Sequence, residues 1–142
     1  MRRSSVMFLS RAALVALAFV GSACDNGPDT PVVPTPPNIT EAFTGTITLN
    51  GSATHPFTTT AVGRATATIT AVTPAGSFIG FQLGTWSGAV CTAVLSNDAG
   101  TQDSVLTAVT QSTLTPLCVR MHDPNGTLTD KTVTYTVSVV HP

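Results

Sequence analysis

Thr132-Val133-Thr134-Tyr135-Thr136-Val137-Ser138-Val139-Val140 is the stretch whose alternation decides the fold. Val133, Tyr135, Val137 and Val139 take every second position, and hydroxyl side chains fill the places between. A period of two puts successive side chains on opposite faces of an extended strand. The branched and aromatic residues suit a half-buried pleat, and threonine suits its wet side because its Cβ is branched while its hydroxyl meets water. The segment therefore reads as a β-strand with one apolar face and one hydroxyl face.

The same period recurs upstream. Phe43, Gly45, Ile47 and Leu49 alternate with Thr44, Thr46 and Thr48, and Asn50-Gly51 then makes a turn. Phe57 begins a short strand after Pro56. Ala65, Ala67, Ile69 and Ala71 alternate with threonines until Pro74-Ala75-Gly76 stops the run, and Ile79, Phe81 and Leu83 resume it. Val105 to Val109 follow, then Leu117, Val119 and Met121, with a turn at Asp123-Pro124-Asn125-Gly126. Helical spacing is nowhere sustained. Seven or eight short strands over residues 39–142 imply an all-β fold, a small antiparallel β-sandwich. The long uncharged closing strand could pair with another chain if it lies at a sheet edge.

Before residue 39 the chain has another character. Arg2 and Arg3 form a positive start, Ala12 to Val20 an apolar run, and Gly21-Ser22-Ala23 a small-residue cleavage site. Residues 1–23 thus read as an export signal, too short in its apolar run for the roughly 20 residues of a spanning helix. The run Val20-Gly21-Ser22-Ala23-Cys24 resembles a bacterial lipoprotein lipobox, with Gly21 where leucine is usual. That resemblance implies that Cys24 is acylated after cleavage and holds the protein to a bilayer. The other reading is an ordinary secretory site that precedes a cysteine. Residues 24–38 then form a linker whose Pro28, Pro31, Pro34, Pro36 and Pro37 forbid helix and favour extended polyproline II.

Charged residues are 9% of the chain, against roughly 25% in an average soluble protein. Past the leader only Arg64, Arg120 and Lys131 face seven acids, which leaves no basic patch for phosphates and excludes a nucleic-acid partner. Cys91 and Cys118 remain once Cys24 is set aside, and an even pair in an exported domain reads as a disulfide. A metal site is the rival reading, without CxxC spacing or a nearby histidine to support it.

The layout resembles the bacterial pre-peptidase C-terminal domain family over roughly residues 42–140. The resemblance rests on Ala61-Val62-Gly63 opening a threonine-rich strand, on Leu117-Cys118-Val119-Arg120-Met121, and on Tyr135-Thr136-Val137-Ser138-Val139. Phe78-Ile79-Gly80-Phe81-Gln82-Leu83 stands where that family has an Asp-rich strand. The family implies a jelly-roll-like sandwich, usually a non-catalytic appendage of secreted peptidases.

Residues of catalytic type are few and scattered. His55, His122 and His141 are scattered, without HExxH spacing, and His55 and His141 read as solvated. His122 and Asp123 adjoin, but neighbours on a strand point to opposite faces and make a poor acid–base pair. No GxSxG elbow occurs, and Glu41 is the sole glutamate. Asn97, Asp98 and Asp103 around one loop, with Asp123 and Asn125 in another, offer oxygens for calcium, though such loops are ordinary turn chemistry. Trp86 is the candidate binding residue. By alternation from Ile79 it shares a face with Gly80, Gln82 and Gly84, where an exposed indole would stack on a sugar or dock a partner. Alternatively, the chain turns at Gly84 and tucks Trp86 into a sheet edge or the disulfide region. The sequence thus reads as a non-catalytic binding or accessory lipoprotein of the cell envelope, without cofactor or metal, with an envelope glycan or protein as partner. The alternative is a structural or self-assembling surface protein.

Overall fold

The computed structural model describes residues 34–128 and 132–142. The leader, Cys24 and most of the linker lie outside the described residues. Eight strands follow one another: β1 (Ile39–Ile47), β2 (Ser52–Thr59), β3 (Gly63–Thr73), β4 (Ile79–Trp86), β5 (Cys91–Gly100), β6 (Val105–Thr110), β7 (Thr115–His122) and β8 (Val133–His141). A 3-10 turn at Pro124–Gly126 lies between β7 and β8. The strands make two antiparallel four-stranded sheets, β1-β8-β3-β6 and β2-β7-β4-β5. With these strand orders the chain crosses between sheets after every strand except β4, which is the double Greek key of a jelly roll.

The inner faces supply the core. Ile47, Ile69, Ile79, Phe81, Leu83, Val119, Met121, Val133, Val137 and Val139 are almost wholly buried. Ala65 and Ala67 are buried as well, so β3 contributes little volume for its length. Tyr135 fills space that small residues leave opposite it. A Cβ on Gly45, its partner in register, would overlap the phenol ring.

Several strand readings need correction. Leu49 lies past the end of β1 and is exposed, because the turn at Asn50 (φ 54°) breaks the alternation first. The second strand starts at Ser52 and carries Pro56 inside it. Proline is tolerated there because β2 is an edge strand with one row of backbone groups unpaired. In β3 a bulge between Ile69 and Ala71 adds one residue, so Val72 rather than Ala71 is buried. Strand β5 escaped the pattern because its residues are small, polar and mostly exposed, and it places Asn97 and Asp98 on a strand, with only Asp103 in the following turn. The closing strand β8 is central, between β1 and β3, so both its edges are already paired. It offers no edge to another chain.

Cys91 and Cys118 form the expected disulfide, closing a separation of 27 residues. They belong to β5 and β7, which flank β4 on either side. Strands so placed lie about 9.6 Å apart in a flat sheet, at about 4.8 Å per step. The two Cα atoms are 5.8 Å apart. The start of β5 therefore leaves the sheet plane and folds over β4 at Gly84, where the pairing also shifts register. Only glycine admits this: a Cβ at position 84 would strike the carbonyl of Thr92 and lie 2.9 Å from the Cα of Ala93.

Gly84→Ala should push β5 off β4, lower stability by about 2 kcal/mol through overpacking, and slow oxidation of the pair. Replacing both cysteines by alanine should cost about 3.5 kcal/mol by loop entropy. Urea denaturation with thiol titration measures both.

Candidate functional site

The three histidines go to three separate places. His141 is buried, not solvated. It lies within the seam between β1 and β2, where its Nε2 meets Glu41 Oε1 at 2.9 Å and its ring packs on Phe57 with centroids 5.0 Å apart. His55 is half-buried in the same seam. It stacks on Phe43 at 5.0 Å and bonds the Tyr135 hydroxyl at 2.7 Å. His55 turns inward from the edge strand β2 and His141 from the end of the central strand β8, which the sequence concealed because the neighbours of neither strand were visible. Burial lowers the His55 pKa and pushes the Tyr135 hydroxyl up to about 12. His122 stands apart on the outer face of the second sheet. Its ring covers Gly80, and its Nε2 is 3.7 Å from Asp98 Oδ1. Burial and then the Arg120 charge lower its pKa, against the opposing pull of Asp98 and Asp123.

Among the described residues no serine or threonine hydroxyl hydrogen-bonds any of these histidines. Asp123 points away from His122, as alternation requires, and its carboxylate works as a structural clasp. Burial pushes its pKa up, but the N–H of Asn50, the hydroxyl of Thr127 and the N–H groups of Leu128 and Thr127 together hold it below the usual range. It thereby ties the β1–β2 turn to the segment after β7. The oxygens once grouped for calcium are thus divided between a strand, a turn and this clasp.

The remaining candidate surface lies where β4 hands over to β5 and β6 to β7. From Thr85 to Asn97 and from Ser104 to Val119 the chain has no charged residue. Trp86, the last residue of β4, stands opposite Cys91 and is half-buried. The hairpin beyond it is tight: Ser87 N–H donates to the Val90 carbonyl at 3.1 Å, and the Val90 N–H returns to the Ser87 hydroxyl at 3.2 Å. Gly88 supplies the positive φ of 92°. Val90 is left 60% exposed at its end. A groove of about 170 Å³ opens alongside, between the edge strands β5 and β6, with Leu83, Val94, Ala108 and Leu117 in its walls.

Leu114 was missed by sequence reasoning and is the most informative residue here. It is 70% exposed and held at φ 53°, a left-handed conformation that costs a non-glycine residue about 1–2 kcal/mol. Its loop is fixed by the Thr115 hydroxyl, which donates to the Ser112 carbonyl at 2.8 Å. A strained backbone that presents an apolar side chain to water is a feature that packing does not explain. The legible signal was the charge-free stretch, not the residue. A second, larger groove of about 370 Å³ lies on the threonine face of the first sheet, lined by Thr44, Thr46, Thr73, Thr134 and Thr136. It has no charged side chain and no aromatic platform beyond the backbone side of Tyr135.

No family model matches the chain, and no curated protein does. Among solved structures it is similar to the crystal structure of PliG from Aeromonas hydrophila, a periplasmic lysozyme inhibitor of g-type lysozyme. The likeness has a TM-score of 0.53 at 14% identity, covers 72% of this chain and 86% of that one, and is a likeness of fold.

The seam sets the acid response. With its pKa lowered by burial, folded His55 takes up a proton less readily than the unfolded chain does at its ordinary value of 6.5. Its contribution is present in full above about pH 7 and is lost as pH falls through 6.5 toward the folded value; His122 acts in the same direction. The melting temperature should fall between pH 7 and pH 5, and His55→Phe should make that fall shallower. Calorimetry across this range checks it.

Proposed function

We propose that this chain is an exported, non-catalytic binding protein, and that the uncharged end of its sandwich grips a protein partner. The observation that carries the reading is Leu114, strained at φ 53° and 70% exposed, in a loop whose Ser112 and Thr115 line the apolar groove. Stable interfaces are centred on apolar side chains held rigidly and cleared of charge. The disulfide supplies the rigidity from within the site, since it anchors the strand that follows the Val90 hairpin. A fold shared with an inhibitor of another protein supports a protein rather than a small molecule as the partner. The apolar leader and the linker support delivery outside the cytoplasm, and acylated Cys24 would set the domain on a bilayer.

A second reading keeps Trp86 as a stacking platform for an envelope glycan. It is favoured by the position of the half-buried indole on the outward-facing side of β4, two residues from Gly84.

The test is binding of the oxidised mature protein to a panel of extracytoplasmic proteins that includes g-type lysozymes, with peptidoglycan and polysaccharide preparations in parallel. Leu114→Asp and Val90→Asp should each weaken a protein complex by about 30-fold, as a hot-spot loss of about 2 kcal/mol implies. Leu114→Gly should weaken it too while leaving folding stability within about 1 kcal/mol, because released strain offsets glycine's entropy. Loss of polysaccharide co-sedimentation in Trp86→Ala alone, with no protein bound, would replace the first reading by the second. Cys24→Ala should move the protein from the membrane to the soluble fraction; unchanged fractionation would remove the lipid anchor.

A further inference from the structure

The two sheets have four edge strands, and three are blunted against pairing. Strand β1 turns the charged Glu41 inward, β2 carries Pro56 at its middle, and β5 is interrupted by two register shifts. Inward charges, prolines and bulges are the devices that keep an edge from templating another chain. Strand β6 has none of them. Val105-Leu106-Thr107-Ala108-Val109-Thr110 pairs with β3 in unbroken register and has no charge, proline or bulge.

Its free side is also ready to pair. Ile69 N–H donates to the Ser104 carbonyl at 3.0 Å, which fixes which residues of the antiparallel ladder face β3. By alternation Leu106, Ala108 and Thr110 turn their backbone groups to β3. Val105, Thr107 and Val109 turn theirs to the open edge. No other strand among the described residues pairs with β6.

The pattern on that edge is symmetric. Val105 and Val109 lie two residues either side of Thr107, are 52% and 59% exposed, and share the outer face of the sheet with it. A two-fold contact must join a surface to itself, so residue i meets j and j meets i. Antiparallel pairing of β6 with its own copy about Thr107 sets Val105 against the other copy's Val109, Thr107 against Thr107, and Leu106 against Ala108. Every outward backbone group of the three residues is then satisfied. We propose that the partner of the β6 edge is a second copy of this chain, joined antiparallel about Thr107 into a continuous eight-stranded sheet. The reading goes beyond the binding end, whose groove shares Ala108, Val109 and Thr110 with this edge, so that self-pairing and a partner in the groove would compete.

The test uses the mature chain with Cys24→Ser, so that no other free thiol is present. Thr107→Cys should cross-link to itself under mild oxidation, since directly opposed residues of a hydrogen-bonded pair lie about 5.5 Å apart at Cα, within disulfide reach. Val105→Cys mixed with Val109→Cys should cross-link, and each of them alone should do so far more slowly. Thr58→Cys on the β2 edge is the control for random collision. Sedimentation equilibrium should show a dimer that Thr107→Pro weakens at least tenfold. That substitution removes an outward N–H and leaves the β3 ladder intact, so circular dichroism should be unchanged. A monomer at millimolar concentration, or cross-linking of Thr107→Cys no faster than Thr58→Cys, would overturn the proposal. So would a dimer indifferent to Thr107→Pro with the fold preserved.

Discussion

The passage of the Cys91–Cys118 bridge over β4 governs the arrangement around it. A disulfide between strands on either side of a third is possible only if one of them leaves the sheet. Gly84 is where β5 does so, since any Cβ there meets the backbone of Thr92 and Ala93. The bridge then fixes the start of the strand that follows the Val90 hairpin, where Trp86 stands opposite Cys91. A core with alanines at 65 and 67 has modest apolar burial, and at about 25 cal/mol per Å² such positions contribute little. The covalent link compensates where hydrophobic packing is weakest, at the exposed strand β5.

The opposite side of the sandwich is closed by a different means. There the edge strand β2 meets β1 and β8 through rings rather than through aliphatic packing: Phe43 on His55, His55 on Tyr135, and Phe57 on His141. Polar atoms enter this seam only in pairs, with Glu41 meeting His141 and the Tyr135 hydroxyl meeting His55. Unpaired, each would carry a desolvation penalty of about 1–3 kcal/mol. These four groups would suggest chemistry by residue type alone, but their geometry is that of a sealed interface between sheets. Reactive-looking residues thus close one side, and residues with no reactive group present the surface on the other.

Legibility followed burial. Where one face of a strand is fully buried, as in β4, β7 and β8, alternation reports it directly, and Ile79, Phe81, Leu83, Leu117, Val119 and Met121 were readable without coordinates. Where neither face is buried, as in β5, no period exists to read, so Asn97 and Asp98 passed for a loop. The β3 bulge displaced Ala71 by one position for a related reason: an extra residue on one strand is visible only against its partner. Of the candidate site, the disulfide could be read from the cysteine count, whereas parity left two placements open for Trp86, which is half-buried opposite Cys91. Leu114 could not be read, because its backbone angle is imposed by the loop that holds it.

By itself the sequence determined the extended period of two over residues 39–142, the pairing of the only two cysteines past Cys24, and the uncharged character of residues 85–97 and 104–119. These are properties of residue type and local spacing, which need no partner to be expressed. Tertiary structure alone decided that β8 is central and β6 an open edge, that His55 and His141 are enclosed, and that the charge-free segments converge on one end. The physical reason is that strand order and cross-sheet neighbours are set by which faces cover one another. That choice is made by contacts between segments as far as 100 residues apart, such as Glu41 with His141, and leaves no mark in any one of them.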